Sequence, residues 1–297
     1  MKMKLEKGSK IAISASARKL VKADLKPVEK WVQSFGLELV YTDELFKESH
    51  QFAGSDKHRA ALLQSYINND ELDAIWIARG GYGSARFIDR IDWSRMLNKP
   101  KLLIGFSDIT VLHCDLYKKT GLSSLHATMP LSFPSNTAES KNALIEAFQG
   151  VKQQFQVPGF KLNREGECEG VVIGGNLSVL YSILSSPSEI NLEGKILFIE
   201  DLDEYLYHID RMMLNLKRSG RLEKLAGLVV GGMTDMNDNM VPFGKTAEEI
   251  IAEHVSEYDY PLAFNFPIGH LDQNMPLRLG AVHSLNVSPN KASLVEH

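Results

Sequence analysis

The sequence predicts an α/β protein, with a parallel sheet in the N-terminal half and a second, α+β domain after it. The length of 297 residues fits one large domain or two ordinary ones. Apolar residues make up 44% and charged residues 24% of the chain, which is close to the composition of soluble globular proteins. Short apolar runs alternate with amphipathic segments from residue 10 to residue 149, a pattern typical of strands connected by helices.

The elements predicted for the N-terminal half are short strands separated by helices. The apolar runs that predict strands cover residues 10–16, 37–42, 74–78, 101–106 and 123–127. The segments that predict helices cover residues 25–35, 58–69, 111–119 and 139–149. Strands buried on both faces read as continuous apolar runs, so we expect a parallel sheet with right-handed crossovers. The active site of such a sheet lies in the loops at the carboxyl ends of its strands.

The second half of the chain is less regular. Its apolar runs predict strands at residues 170–175, 195–200 and 225–232, and helical patterns cover 176–184, 208–218 and 246–258. The stretch from residue 151 to residue 169 has no long periodic element, and Pro158-Gly159 is a turn signal. We therefore expect an N-terminal domain over residues 1–155, a linker over 156–169 and a C-terminal domain over 170–297.

Charge, cysteine content and hydropathy exclude several classes of function. The 33 Lys and Arg and 37 Asp and Glu residues give a formal charge of −4, so no basic field attracts nucleic acid or anionic lipid. Cys114 and Cys168 lie in no CxxC or Cys/His cluster, so neither a disulfide framework nor a metal site is expected. The apolar run at 11–13 is too short for a signal peptide, and no stretch approaches the roughly 20 apolar residues of a membrane span. We expect a cytoplasmic protein that acts on a small molecule.

Ser107 is the strongest candidate for a nucleophile. It follows the apolar run 102–106 and precedes a helical segment, which is the strand–turn–helix position that exposes a reactive hydroxyl in α/β hydrolases. Gly105 supplies the small residue two positions earlier, whereas the glycine expected two positions later is replaced by Ile109. The alternative interpretation is that Ser107 or Asp108 caps the helix.

A glycine-rich segment follows the third predicted strand, at residues 78–84 (ARGGYGS). Its glycines let the backbone approach a ligand and direct N–H groups toward an anion, such as a phosphate, a carboxylate or an oxyanion. The segment matches neither common nucleotide-binding motif, and a tight turn without a ligand is the alternative.

A nucleophilic serine needs a base and a carboxylate that orients it. Among the nine histidines, His270 is the best candidate because it ends the apolar run 264–269 and begins a polar loop. Glu200 ends the apolar run 195–199, which would place a half-buried carboxylate at the end of a strand. Taken singly, each also fits an ordinary structural histidine or an acidic loop.

Several segments together resemble the serine LD-carboxypeptidases, the muramoyltetrapeptide carboxypeptidase family. In chain order they are ARGGYG (78–83), IGFSDIT (104–110), GGNLSVL (174–180), FIEDLDE (198–204), YHIDRM (207–212) and PIGH (267–270). The resemblance implies that Ser107, Glu200 and His270 form a catalytic triad, and that the backbone N–H groups of Gly81 and Asp108 form an oxyanion hole. Neither a cofactor nor a metal is expected.

The resemblance also implies an architecture and a reaction. The N-terminal domain would be flavodoxin-like or glutamine-amidotransferase-like, the C-terminal domain would contain a small β-barrel, and the protein would be a homodimer. The reaction would be hydrolysis, through an acyl-enzyme, of the L,D amide bond to the terminal D-alanine of murein tetrapeptides during peptidoglycan recycling. Arg79 and Arg211 are candidates, by position, for binding the terminal carboxylate, and a structural ion pair is the alternative for each.

Two other functions stay open at this point. Some members of the family cleave microcin-like peptide-nucleotide antibiotics as immunity peptidases with the same catalytic residues. A function of another class is non-catalytic: the glycine-rich segment would bind an anionic metabolite, and Ser107 would only cap a helix.

Overall fold

The computed structural model describes residues 4–297, which form two sheets with helices packed against them. The strands are, in chain order, β1 (Lys10–Ser14), β2 (Glu38–Val40), β3 (Ala74–Ile77), β4 (Leu102–Gly105), β5 (Ser124–His126), β6 (Gln154–Pro158), β7 (Gly166–Asn176), β8 (Ile196–Leu202), β9 (Gly227–Thr234), β10 (Leu262–Ala263), β11 (Leu277–Leu279), β12 (Val282–Val287) and β13 (Lys291–Glu296). The helices are α1 (Lys26–Ser34), α2 (Asp56–Asn68), α3 (Ser94–Asn98), α4 (Thr110–Thr120), α5 (Ala138–Phe148), α6 (Leu177–Ser182), α7 (Leu206–Arg218) and α8 (Ala247–His254).

The first sheet has the parallel core that the sequence predicts. Its parallel strands lie in the order β2-β1-β3-β4-β5, and β11 joins β5 in the antiparallel direction. Every residue of β3 and β4 is buried, which explains their continuous apolar runs. This strand order is the flavodoxin-like one. In such sheets, ligands bind at the carboxyl ends of the strands, where the strand order reverses between β1 and β3.

The second sheet is mixed. Its order is β10-β9-β8-β7-β12-β13-β6; the first four strands are parallel and the last three pair in the antiparallel direction. One hydrophobic core contains side chains from both of its edges, Phe155 of β6 and Ala263 of β10, and Phe155 also packs against Phe266, just after β10, with ring centres 6.3 Å apart. The sheet therefore curls like an open barrel, and within residues 4–297 no strand pairing between β6 and β10 closes it.

Four helix starts are set by side chains that the sequence places one position before the helix. The side-chain oxygens of Ser55, Thr137, Asn176 and Thr246 each accept a hydrogen bond from a backbone N–H of the first turn, at α2, α5, α6 and α8 respectively. At the other end, Gly121 stops α4 in a left-handed conformation.

One strand and the beginning of another lie where the sequence predicted no element, and one strand pairing was not predicted. β6 and the beginning of β7 fall within the stretch 151–169, since Phe155 and Val157 are buried alternately, a pattern too short to stand out. β11 extends the N-terminal sheet from the C-terminal half, and its pairing with β5 was not predicted because the two strands are far apart in the chain. The domain limits themselves stay a prediction.

The two halves contact each other at the carboxyl ends of their strands. The backbone N–H of Asn176, at the end of β7, donates a hydrogen bond of 3.0 Å to Oγ1 of Thr110, at the start of α4. Gly175 permits this contact, since a Cβ there would come too close to the Thr110 hydroxyl. In the described part of the chain, no helix combines the length and apolar character needed to cross a membrane.

Candidate active site

Ser107 lies in the turn between β4 and α4, at the carboxyl edge of the N-terminal sheet. Its φ of +68° is in the left-handed region, which residues other than glycine rarely adopt. A Cβ at Gly105 would come 3.0 Å from the side chain of Ile109, so the small residue before the serine is needed for this sharp turn. A strand, a strained turn and a helix in this order form the geometry that exposes a nucleophilic hydroxyl.

The interpretation of Ser107 or Asp108 as a helix cap is wrong, because no side chain caps the start of the turn or of α4. The buried carboxylate of Asp108 instead accepts hydrogen bonds from the backbone N–H groups of Ser84 (2.9 Å) and Gly83 (3.3 Å). Burial raises the pKa of the Asp108 carboxyl above its ordinary value. Asp108 thus ties the serine turn to the glycine-rich segment.

The glycine-rich segment packs its backbone directly against the serine. A Cβ on Gly80 would come 3.1 Å from Oγ of Ser107, and one on Gly81 would come 2.7 Å from the side chain of Arg18. Gly81 has a φ of +118°, and its N–H donates to no acceptor among residues 4–297. The segment can therefore offer a backbone donor close to the serine.

Glu200 and His270 form a buried pair in the C-terminal half. Nδ1 of His270 lies 2.6 Å from Oε2 of Glu200, and the backbone N–H of His270 donates to the same oxygen at 3.3 Å. Glu200 lies on β8 where the pairing with β9 is irregular, between Ile199 and Asp201. Gly269 allows the close approach, since a Cβ there would come 2.6 Å from Oε2 of Glu200.

The charges of this pair stabilise each other. Burial alone would raise the pKa of the Glu200 carboxyl, but the neighbouring His270 and His126 together outweigh burial and hold that pKa below its ordinary range. Burial alone would lower the pKa of His270, but the Glu200 carboxylate outweighs it and raises that pKa. A fixed carboxylate at Nδ1 selects the tautomer that leaves Nε2 free to accept a proton.

The structure brings the serine turn and the Glu200–His270 pair to the same place. The ring of Phe106, the residue before Ser107, lies 4.7 Å from the ring of His270, measured between centres. His270 retains 15% exposure of its side chain. Glu200 is fully buried within β8, so the prediction of a half-buried carboxylate at the end of a strand is wrong. Through Phe106, the serine turn therefore contacts His270, although within residues 4–297 no hydrogen bond joins Ser107 to His270.

The two arginine candidates lie in different surroundings. Arg79 is half-buried, and its Nη1 donates to the carbonyl of Lys19 at 3.0 Å. Burial and the nearby Arg18 lower the pKa of the Arg79 guanidinium. Arg211 is exposed on α7, with its guanidinium 5.2 Å from the ring centre of Tyr207. One is held by a carbonyl and the other by an aromatic ring, so neither contact is an ion pair.

A polar network behind Glu200 was missed by the sequence reasoning. The buried carboxylate of Asp201 accepts hydrogen bonds from Nδ2 of Asn176 (2.8 Å) and from the backbone N–H of Ser178 (2.9 Å). Burial and the adjacent Glu200 raise the pKa of Asp201 to about 7. The acidic pair at the end of an apolar strand was visible in the sequence, but its partner at the end of β7 was not.

Comparison with known proteins identifies the family. Profiles of the LD-carboxypeptidase N-terminal and C-terminal domains match residues 11–127 and 169–285. The chain belongs to the LD-carboxypeptidase family. The resemblance drawn from the six sequence segments is confirmed, and the LD-carboxypeptidase described here is an enzyme, a carboxypeptidase.

Curated relatives align with this LD-carboxypeptidase over nearly its whole length. The probable murein peptide carboxypeptidase of Bacillus subtilis is 32% identical and covers 98% of this chain and 93% of its own. The murein tetrapeptide carboxypeptidase of Pseudomonas aeruginosa is 26% identical over 89% of both chains.

Solved structures confirm the two-part α/β fold. The muramoyltetrapeptide carboxypeptidase from Oxalobacter formigenes superposes with a TM-score of 0.88 at 26% identity, over 97% of this chain and 98% of its own. The microcin C7 self immunity protein MccF, solved with aspartyl sulfamoyl adenosine, has a TM-score of 0.85 at 22% identity, over 99% of this chain and 98% of its own. At that identity, the likeness to MccF is one of fold.

Proposed function

We propose that this LD-carboxypeptidase hydrolyses the L,D amide bond to the terminal D-alanine of murein tetrapeptides, with Ser107, His270 and Glu200 as its catalytic triad. The observation that carries the proposal is the buried contact of 2.6 Å between His270 and Glu200, beside a serine held at a left-handed turn. The names of the relatives from B. subtilis, P. aeruginosa and O. formigenes support the substrate class.

The proposed mechanism divides the hydrolysis into two steps. Oγ of Ser107 attacks the carbonyl carbon, and its proton passes to Nε2 of His270. When the C–N bond breaks, the imidazolium returns this proton to the amine of the departing D-alanine, which leaves an ester on Ser107. A water molecule then attacks the ester and gives its proton to His270. The C–O bond to Ser107 breaks, the shortened peptide leaves with a free carboxyl group, and His270 returns the proton to Oγ of Ser107. Glu200 stays ionised throughout and stabilises the imidazolium.

The backbone N–H groups of Gly81 and Asp108 are proposed to hold the oxyanion. Support comes from the contact between the glycine-rich segment and Ser107, and from the N–H of Gly81, which has no acceptor among residues 4–297. Donors fixed in this way act where negative charge develops, and each contributes about 3 kcal/mol to lowering the barrier.

The terminal carboxylate of the substrate is proposed to bind Arg79, with Arg211 as the second candidate. Arg79 begins the glycine-rich segment, and its guanidinium is fixed by a carbonyl, which leaves donors for an anion. We expect Arg79→Ala to raise KM for the tetrapeptide by about 10-fold, the size of a charge-assisted hydrogen bond, and Arg211→Ala to leave KM unchanged. The opposite pattern would assign the carboxylate to Arg211, and two unchanged KM values would exclude both.

The central experiment measures D-alanine release from a murein tetrapeptide by Ser107→Ala. We expect a loss of at least about 10³-fold in kcat, because the nucleophile is removed. Ser185→Ala is the matched control, since Ser185 is also a serine at positive φ (+60°) but lies on the exposed turn after α6. Turnover by Ser107→Ala close to that of the control would exclude the serine mechanism.

The same assay separates the proposal from its rivals. An aminoacyl-adenylate analogue is tested beside the tetrapeptide, and hydrolysis of the analogue alone would favour an immunity-type peptidase. A protein that binds anionic metabolites without catalysis would hydrolyse neither the tetrapeptide nor the analogue. A homodimer and a cytoplasmic role in peptidoglycan recycling belong to the same proposal, and sedimentation of the purified protein tests the dimer.

A further inference from the structure

His126 is a fully buried histidine that the proposed mechanism does not use. It ends β5, and its register partner on the neighbouring strand is Gly105, two residues before Ser107. On the other side it pairs with Leu277 of β11. His126 therefore occupies the carboxyl edge of the N-terminal sheet, next to the serine turn.

The ring of His126 faces the oxygen of Glu200 that His270 leaves free. Oε2 of Glu200 is held by His270, whereas Oε1 lies 3.9 Å from Nε2 of His126. Within residues 4–297, neither Oε1 of Glu200 nor either ring nitrogen of His126 has a hydrogen-bond partner. Buried polar atoms in folded proteins are nearly always paired, so two unpaired atoms that face each other are candidates for one bond.

Aromatic side chains hold the His126 ring in this orientation. Phe198 of β8 packs edge-on against it with ring centres 5.1 Å apart, and Phe106 does so at 5.7 Å. Phe106 also contacts His270 at 4.7 Å, so one phenylalanine separates the two histidines. The carboxylate of Glu200 thus lies between two imidazoles, one toward each of its oxygens.

We propose that His126 is a positioning residue for Glu200, an inference that depends on the proposed function. Its Nε2–H donates a hydrogen bond to Oε1 of Glu200 once the two side chains approach by about 1 Å, to ordinary hydrogen-bond distance. With both oxygens occupied, Glu200 keeps its orientation toward Nδ1 of His270 while His270 accepts the proton of Ser107. His126 itself transfers no proton and contacts no substrate.

Other titratable groups near this pair are few. His113 of α4 has its ring centre 6.5 Å from that of His126, and burial lowers the pKa of His113 to about 3, so it stays neutral. Asp201 follows Glu200 on β8 and is hydrogen-bonded to Asn176. Because Asp201 has a pKa of about 7 and also raises the pKa of His270, the pH profile after substitution of His126 is measured both in the unsubstituted enzyme and in an Asp201→Asn background.

The test compares two replacements of His126 in the full-length enzyme acting on the tetrapeptide. His126→Phe keeps an aromatic ring and removes the donor, and we expect kcat to fall by 10-fold to 100-fold with KM changed less than 2-fold. His126→Gln places an amide N–H near the position of Nε2, and we expect kcat within about 3-fold of the unsubstituted enzyme.

The pH profile gives a readout that a purely structural role would not change. Without the donor on Oε1, the full carboxylate charge acts on His270, so the acidic limb of kcat/KM is expected to move to higher pH in His126→Phe and to return in His126→Gln. His283→Phe is the control, because His283 is equally buried but lies away from Glu200. His283 is on β12 and pairs with Gly170 of β7, whereas Glu200 pairs with Asn176 at the other end of β7.

Several results would overturn the inference. One is a kcat of folded His126→Phe within 2-fold of that of the unsubstituted enzyme. Another is an acidic limb of kcat/KM that stays at the same pH in His126→Phe. A third is an equal loss of kcat in His126→Phe and His126→Gln. If His126→Phe does not fold, His126→Asn takes its place, since the shorter amide cannot reach Oε1. An inactive Ser107→Ala together with a fully active His126→Phe would leave the proposed function standing and remove only the role of His126.

Discussion

The two halves of the candidate active site are built on different physical principles. The serine turn of the N-terminal half depends on backbone geometry: a left-handed Ser107, the small Gly105 before it, and the glycine-rich segment packed against its hydroxyl. The C-terminal half depends on electrostatics: the buried Glu200 carboxylate is kept ionised by His270, which has a raised pKa in return.

This difference predicts which amino-acid substitutions should inactivate each half of the site. A backbone-built site fails when a side chain is added where there is no room, whereas an electrostatic pair fails when a charge is removed and its buried partner is left uncompensated. Phe106 of the serine turn packs on His270, so a displacement in either half is transmitted to the other.

The largest effect is expected from removal of the carboxylate charge. Glu200→Gln is expected to lower kcat by about 10³-fold to 10⁴-fold, because His270 loses both its orientation and the charge that stabilises its protonated form. Glu296→Gln is the matched control, since Glu296 is nearly as buried and paired with Arg278 at 3.0 Å, on β13. D-alanine release measures both, and a Glu200→Gln enzyme as active as the control would contradict the electrostatic account of this half.

A smaller loss is expected when a methyl group is added beside Glu200. In Gly269→Ala, the new Cβ lies 2.6 Å from Oε2 at a φ of +113°, so the pair must separate, and we expect kcat to fall by about 100-fold. Gly121→Ala shares the positive φ but has no atom within 4 Å of its Cβ, so it should lose about 1–2 kcal/mol of stability and keep its kcat. Denaturant unfolding and kinetics separate the two effects, and equal kcat values for the two variants would show that the close approach is unimportant.

The anchor of the glycine-rich segment should matter less. In Asp108→Asn, the one remaining oxygen can still accept a hydrogen bond from the N–H of Ser84 or Gly83, but the new NH₂ group faces the other N–H. Because one of the two hydrogen bonds is lost, we expect kcat to fall by about 10-fold. Asp92→Asn weakens similar hydrogen bonds to Ser94 outside the site and should leave kcat unchanged. A fully active Asp108→Asn enzyme would mean that the loop holds its shape without this carboxylate.

The mildest test is the pH dependence of the unsubstituted enzyme. Because His270 acts as a base only when neutral and Glu200 raises its pKa, kcat/KM should decline as pH falls through a value above the ordinary histidine pKa of about 6.5. In the residual activity of Glu200→Gln this acidic limb should move to lower pH. An acidic limb below the ordinary value in the unsubstituted enzyme would contradict the pairing.

The sequence by itself determined the class of the N-terminal sheet, the strand–turn–helix position of Ser107, the strand that carries Glu200, and the family. These follow from local signals, since continuous apolar runs reveal buried strands, and the segments around residues 78–83 and 104–110 are contiguous in the chain. The sequence did not predict the short strand β6, nor the pairing of β11 with β5 at the edge of the first sheet.

Only the tertiary structure decided which side chains meet. The contact between His270 and Glu200, the anchoring of the glycine-rich segment by Asp108, and the position of His126 opposite Oε1 of Glu200 all join residues separated by many positions in the chain. Such contacts depend on which strand ends lie side by side after the two sheets have packed together. Neither the hydrophobic period nor the spacing of motifs along the chain carries that information, because both describe neighbours in sequence rather than in space.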